Sequence, residues 1–199
     1  MKIIRFALIG ALTGFMGIAA QSLSHPTFLH WSKKTVVESP DRQLQIEVHP
    51  ILTDEENHSP VVVHRLNDGK EWALFTLKRA AHAIWSSDGH RILVIDEPTA
   101  DNYQVYLCSP EGQRVVAEVD EKMRAAVTNQ IGSDRNIEFY LPTFVSWKGH
   151  ELAIAAGGTS FDGVHRSTEP FCFTVSIDSD SGQVLTIKKQ PDSRCRINP

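Results

Sequence analysis

The chain has 199 residues, with 20 Lys and Arg against 24 Asp and Glu, nine His and three Cys. That length suits one domain, and a composition that is 41% hydrophobic and 22% charged excludes global disorder. A net charge of −4 lacks the basic excess of a nucleic-acid binder, and three cysteines are too few for a disulfide scaffold.

Lys2 and Arg5 precede an apolar run over residues 6–20, and the small residues Gly17, Ala19, Ala20 and Ser22 follow. This three-part layout predicts a secretory signal peptide over residues 1–22, cut between 19 and 24. The run is shorter than the ~20 residues needed to span a bilayer, and no second such stretch follows. The expectation is a soluble periplasmic domain over residues 23–199, with no membrane contact after cleavage. Loss of two of the 20 basic residues leaves 18 against 24 acidic ones, a net charge of −6.

One strand–turn–strand pattern then occurs three times, over residues 36–48, 83–95 and 143–155. Its turns are Ser39-Pro40-Asp41, which reads one residue shorter, Ser86-Ser87-Asp88-Gly89, and Lys148-Gly149-His150. Ser, Asp, Pro and Gly form turns through side-chain hydrogen bonds and permitted φ values. A second hairpin follows each copy: residues 61–66 with 72–75, 103–108 with 115–119, and 171–177 with 184–187. Their β-branched and aromatic runs are bounded by Asp-Gly, Pro-Glu-Gly or Ser-Gly turns. Two hairpins make four strands, the content of one propeller blade. Three such units fall short of the about 4–8 blades of a closed propeller. The predicted fold is therefore all-β: three four-stranded propeller-like repeats, as an open or partial propeller or sandwich. Between the second and third repeats, Met123, Val127 or Ala126, and Ile131 fall at helical spacing. That predicts one short helix over 120–132, with Asp120 placed to cap it and Gly132 to end it.

Trp85-Ser86-Ser87-Asp88-Gly89-His90-Arg91-Ile92 resembles the Ser-Pro-Asp-Gly-Lys repeat of TolB-type, WD40-like β-propellers, with Pro40-Asp41 and Lys148-Gly149 carrying less of it. That likeness bears on fold and not on catalysis.

The nine histidines include no His-x-His and no His-Glu-x-x-His, so they read as surface and strand-end residues; no metal and no cofactor are expected. Asp178-Ser179-Asp180-Ser181-Gly182 lacks the spacing of a calcium loop and reads as a hairpin turn. Trp31, Trp72, Trp85 and Trp147 read as packing residues. In an oxidising compartment two of the three cysteines can pair. Cys172–Cys195 would tie the C-terminal tail to the body and leave Cys108 buried in a strand; Cys108–Cys172 is an open alternative.

Residues 157–165, Gly-Gly-Thr-Ser-Phe-Asp-Gly-Val-His, hold Ser, Asp and His without the Gly-x-Ser-x-Gly spacing of a nucleophile elbow. They read as a glycine-rich loop exposing Ser160, Phe161 and His165, and loops on rigid strands often carry binding. The signal peptide, the small β array and the turn from Ser86 to Leu93 also resemble periplasmic immunity proteins that block type VI secretion amidase toxins. In such families a Ser-bearing loop plugs the toxin's active site. That resemblance implies a non-enzymatic inhibitor whose protein partner is a cell-wall amidase or other hydrolase. Gly158, Thr159, Ser160, Phe161, Asp162 and His165 would then face the partner. The alternatives are an exported hydrolase using the dispersed residues His82, Asp88, Ser160 and His165, or an envelope scaffold module like TolB.

Overall fold

A computed structural model describes residues 25–50, 59–100, 102–110, 114–116, 119–164, 167–191 and 195. The expected signal segment 1–22 lies outside the described residues, as does His165.

The period-2 hydrophobic runs form thirteen strands around one helix. The first antiparallel sheet takes β2 (Val36–Glu38), β3 (Leu44–Val48), β4 (Ser59–Arg65) and β5 (Glu71–Leu77) in chain order. The second takes β6 (Ala80–Trp85), β7 (Ile92–Thr99), β8 (Asn102–Cys108) and β9 (Arg114–Val116), with β1 (Thr27–His30) added beside β6. The third takes β10 (Arg135–Lys148), β11 (Glu151–Asp162), β12 (Ser167–Asp178) and β13 (Val184–Lys189). The three expected four-stranded repeats are therefore present, each an antiparallel meander. The added β1 had no counterpart in the repeat pattern: Leu29 on it is fully buried, and Thr27 to His30 pair with Ala83 to Ala80.

The sheets stack as layers. Ile46, Val48, Val61, Val63 and Leu74 of the first sheet share a core with Leu29, Ala81, Ala83, Trp85, Ile92 and Val94 of the second. Ile84, Leu93, Ile95, Val105 and Leu107, on the opposite face of the second sheet, pack against Leu152, Ile154, Phe171, Phe173 and Val175 of the third. The middle sheet is thus covered on both faces, which explains why β7 begins as a continuous apolar run, Ile92-Leu93-Val94-Ile95, rather than an alternation.

The helix α1 spans Val119–Ile131, and Val119, Met123 and Val127 are buried at i, i+4 and i+8. Gly132 ends it with a φ of +108°, a value that suits glycine. Asp120 lies inside the first turn, and its carboxylate accepts from Arg124 Nε at 2.7 Å rather than capping the helix from outside. Arg124 also stacks 4.1 Å over the ring centroid of the buried Tyr140, joining the helix to β10.

The repeat is visible at the level of single bonds. Ser39 Oγ donates to Asp41 Oδ1 at 2.6 Å, Asp41 accepts from Gln43 N at 3.1 Å, and Leu44 N donates to Ser39 Oγ at 3.0 Å. In the second repeat Ser86 Oγ donates to Asp88 at 2.6 Å, His90 N to Asp88 at 3.0 Å, and Arg91 N to Ser86 Oγ at 2.9 Å. The two turns have equal length, which corrects the shorter first turn expected above. Arg42, with a φ of +56°, stands where the second repeat has Gly89, with a φ of +74°. The third copy has Lys148 in place of the Asp and closes more tightly, pairing Lys148 with Glu151 around Gly149 and His150.

Among the tryptophans, Trp85 and Trp147 are buried, while Trp31 and Trp72 pack partly buried against the first core. The residues 178–182 form the expected hairpin turn: Asp178 Oδ1 accepts from Ser181 N at 2.7 Å, and Gly182 has a φ of +64°.

Candidate functional site

The third sheet differs from its two companions in reach. β10, β11 and β12 run 14, 12 and 12 residues, against three to eight for β2 to β9. β13 pairs with β12 only from Phe173 to Ile177, so among the described residues the earlier part of β12 pairs on one side alone. The far halves of the three long strands form a three-stranded ribbon that ends in the turn at Gly163 and Val164, with Ile131 of α1 beside it at Arg135 and Ser160.

This ribbon contains the residues expected to form a loop, and that expectation is corrected. Residues 157–162 are the end of β11, paired with β10 on one side and β12 on the other. Glycine here serves close approach rather than loop freedom. A Cβ at Gly158 would lie 2.0 Å from the Phe139 carbonyl oxygen, and one at Gly157 would lie 2.8 Å from Cys195 Cβ. Ser160 is buried at 2% exposure and Asp162 at 8%. Asp162 accepts from Val164 N at 2.8 Å, shaping the tip. Thr159 and Phe161 are half-buried, and Val164, which the sequence did not single out, is the exposed apolar residue of the tip at 80%.

Arg135 organises the ribbon from β10. Its Nε donates to Ser160 Oγ at 3.0 Å, and its Nη2 donates to the Ser160 and Ser167 carbonyls at 3.4 and 3.5 Å. Nη1 lies 3.2 Å from Glu169 Oε2, while the Ser160 hydroxyl donates to the Glu169 carbonyl at 3.3 Å. A pocket of about 190 Å³ opens beside this group, lined by Ile131, Arg135, Ser160, Glu169, Phe171 and Lys189 among others. The arrangement holds a guanidinium and a carboxylate on a rigid support. Among the described residues, no imidazole or carboxylate accepts a proton from Ser160.

Of the dispersed residues of the hydrolase alternative, His165 lies outside the described residues, and His82, Asp88 and Ser160 occupy separate places. His82 is on β6 with its ring 5.4 Å from that of Phe28, and Asp88 is in the β6–β7 turn. Ser160 stands in the third sheet, where its hydroxyl bonds to Arg135 and Glu169.

The disulfide joins Cys172 on β12 to Cys195 with Cα atoms 5.6 Å apart, fixing one point of the tail beside β11 at Gly157. Cys108 is buried at the end of β8.

One further grouping was not legible from sequence spacing. Glu47, His49 and His64 place one donor atom each within 4.8 Å of the others on the outward face of the first sheet. Lys34, donating at 2.6 Å, holds the Glu47 carboxyl below its ordinary value, against the effect of burial; His49 and His64 add to the lowering. A Glu-x-His pair at the end of β3 and a His on the antiparallel neighbour is the available signal.

Comparison with protein-family models, with curated proteins and with solved structures finds no match.

Proposed function

We propose that this chain is an exported binding protein that acts without making or breaking bonds, by seating the ribbon of the third sheet in the cleft of a secreted cell-wall hydrolase. The observation that carries this reading is the ribbon itself. Its strands outrun those of the other two sheets, its polar core is tied by Arg135, and its tip presents Val164 at 80% exposure. An apolar side chain on a rigid support suits the centre of an interface, and a charged rim around it suits specificity.

Two features support export. The N-terminal residues have the layout of a signal peptide, and a Cys172–Cys195 disulfide belongs in an oxidising compartment. The likeness of the Ser86-Ser87-Asp88-Gly89 turn to propeller repeats agrees with a scaffold whose function lies in an appended feature. The plug in this reading is a stiff ribbon, with Phe161 and Val164 as its apolar contacts and Ser160 as an internal tie.

Mature protein should capture a stoichiometric partner from periplasmic extract. Val164→Arg and Phe161→Ala should each weaken that complex about 10-fold or more, as losses at interface centres do. Capture of no partner, together with a hydrolytic activity lost in Ser160→Ala, would overturn the reading.

A further inference from the structure

The first sheet turns two faces to different surroundings. Ile46 and Val48 of β3 point into the core, so the pleat sends Glu47 and the following His49 to the other side. On β4, His64 stands opposite Gln45 and diagonally across from Glu47, whose own partner is Val62. Diagonal neighbours on one sheet face are within reach of long side chains. Three ligand-type side chains, from β3, the residue just past its end and β4, therefore converge for a topological reason, without any helix.

Their geometry is close to that of a coordination shell. His49 Nε2 lies 3.1 Å from Glu47 Oε1, and His64 Nε2 lies 3.7 Å from Glu47 Oε2. Ligands at about 2.0–2.2 Å from a common zinc-type ion stand roughly 3–3.5 Å apart. The two imidazoles stack with centroids 5.7 Å apart and planes at 29°. Among the described residues neither Nε2 makes a hydrogen bond of good geometry, yet both atoms are shielded from solvent. A buried, unbonded ring nitrogen aimed at a carboxylate is costly unless something cationic joins them.

A second, outer shell is present as well. Glu71 on β5, directly paired with His64, places Oε2 3.2 Å from His64 Nδ1. A carboxylate on the far nitrogen of a histidine fixes the tautomer that leaves Nε2 as the electron-pair donor, and this is the arrangement that supports histidine ligands in metal sites. On the other side the Lys34 ammonium sits 2.6 Å from Glu47 Oε1 with its side chain 67% exposed, a displaceable cation at the carboxylate an ion would take.

We propose that Glu47, His49 and His64 form a binding site for a divalent transition-metal ion of the zinc class, which clamps β3 to β4 and displaces Lys34. Two imidazoles and one carboxylate are borderline ligands that favour zinc over calcium or magnesium. Three protein ligands leave a coordination position for water or for a group from outside. The site is independent of the ribbon and of the function proposed for it.

The test is zinc titration of full-length mature protein after chelator treatment, followed by calorimetry and by dialysis with metal analysis. One equivalent should bind. His49→Ala, His64→Ala and Glu47→Gln should each abolish that equivalent or weaken it at least ~10-fold, and Glu71→Gln should weaken it about 10- to 100-fold. Lys34→Ala should retain binding or tighten it. Circular dichroism of each variant establishes folding, and substitution by cobalt supplies an absorption band that reports nitrogen and oxygen ligation. Failure of wild-type protein to take up one equivalent would overturn the proposal. So would full binding in the folded His49→Ala/His64→Ala double variant, since the ion would then sit on other histidines.

Discussion

Arg42 holds a φ of +56° in a turn whose other copy uses Gly89 for the same backbone shape. A side chain in the left-handed region costs about 1–2 kcal/mol, which glycine avoids at some expense of extra freedom in the unfolded chain. Arg42→Gly should therefore stabilise the protein by up to ~1 kcal/mol, read as a raised urea midpoint at unchanged slope; a lowered midpoint would contradict the equivalence of the turns. The neighbouring Ser39 donates to Asp41, and that bond, opposed by burial, holds the carboxyl below its ordinary value of 3.8. A carboxyl whose pKa falls on folding adds stability that is present above pH 3.8 and lost as pH drops through the folded value. Ser39→Ala should cost about 1–2 kcal/mol near neutrality. The difference from wild type should shrink in acid, because the Asp41 part disappears while the bonds of Ser39 to Leu44 persist. A difference constant down to about pH 3 would contradict this assignment.

Among the elements, the local ones were legible in the sequence. The repeated hairpins and the helix are set by residues within a few positions of one another, so turn chemistry and periodicity reached them: Asp88-Gly89, Asn67-Asp68-Gly69, and Met123 with Val127. β1 was not, because Leu29 is placed by pairing with β6, about fifty residues away. The Gly157-Gly158 stretch departs from the expected loop for a related reason. Two glycines suggest a loop, yet here they admit the Phe139 carbonyl and Cys195 to a paired strand. The Glu47, His49 and His64 grouping is gathered across strands and so leaves no short motif in the sequence. The disulfide pairing needed the third dimension too: Cys172 and Cys195 close a span of 23 residues. Cys195→Ser should cost about 3 kcal/mol of stability under non-reducing conditions, following loop-closure entropy. The same variant and wild type should melt together in strong reductant. A loss well below 1 kcal/mol would show that the tail is held by other contacts.

Across the whole molecule, three similar meanders stack so that the middle one is covered on both faces, by the first sheet on one side and the third on the other. The first sheet carries the Glu47, His49 and His64 grouping on the face turned away from its core. The third carries Arg135, Ser160 and Glu169 on the far halves of its longer strands. Scaffold and candidate sites are thus separable: the buried residues of the two cores make the stack, and the residues that differ between repeats make the surfaces. Affinity capture from periplasmic extract, run side by side with wild-type mature protein, Val164→Arg and His90→Ala, tests this division most directly. His90 lies in the β6–β7 turn of the middle sheet. Wild type and His90→Ala should retain the same stoichiometric hydrolase partner, and Val164→Arg should lose it. A partner held equally by all three proteins would contradict the assignment of binding to the ribbon of the third sheet.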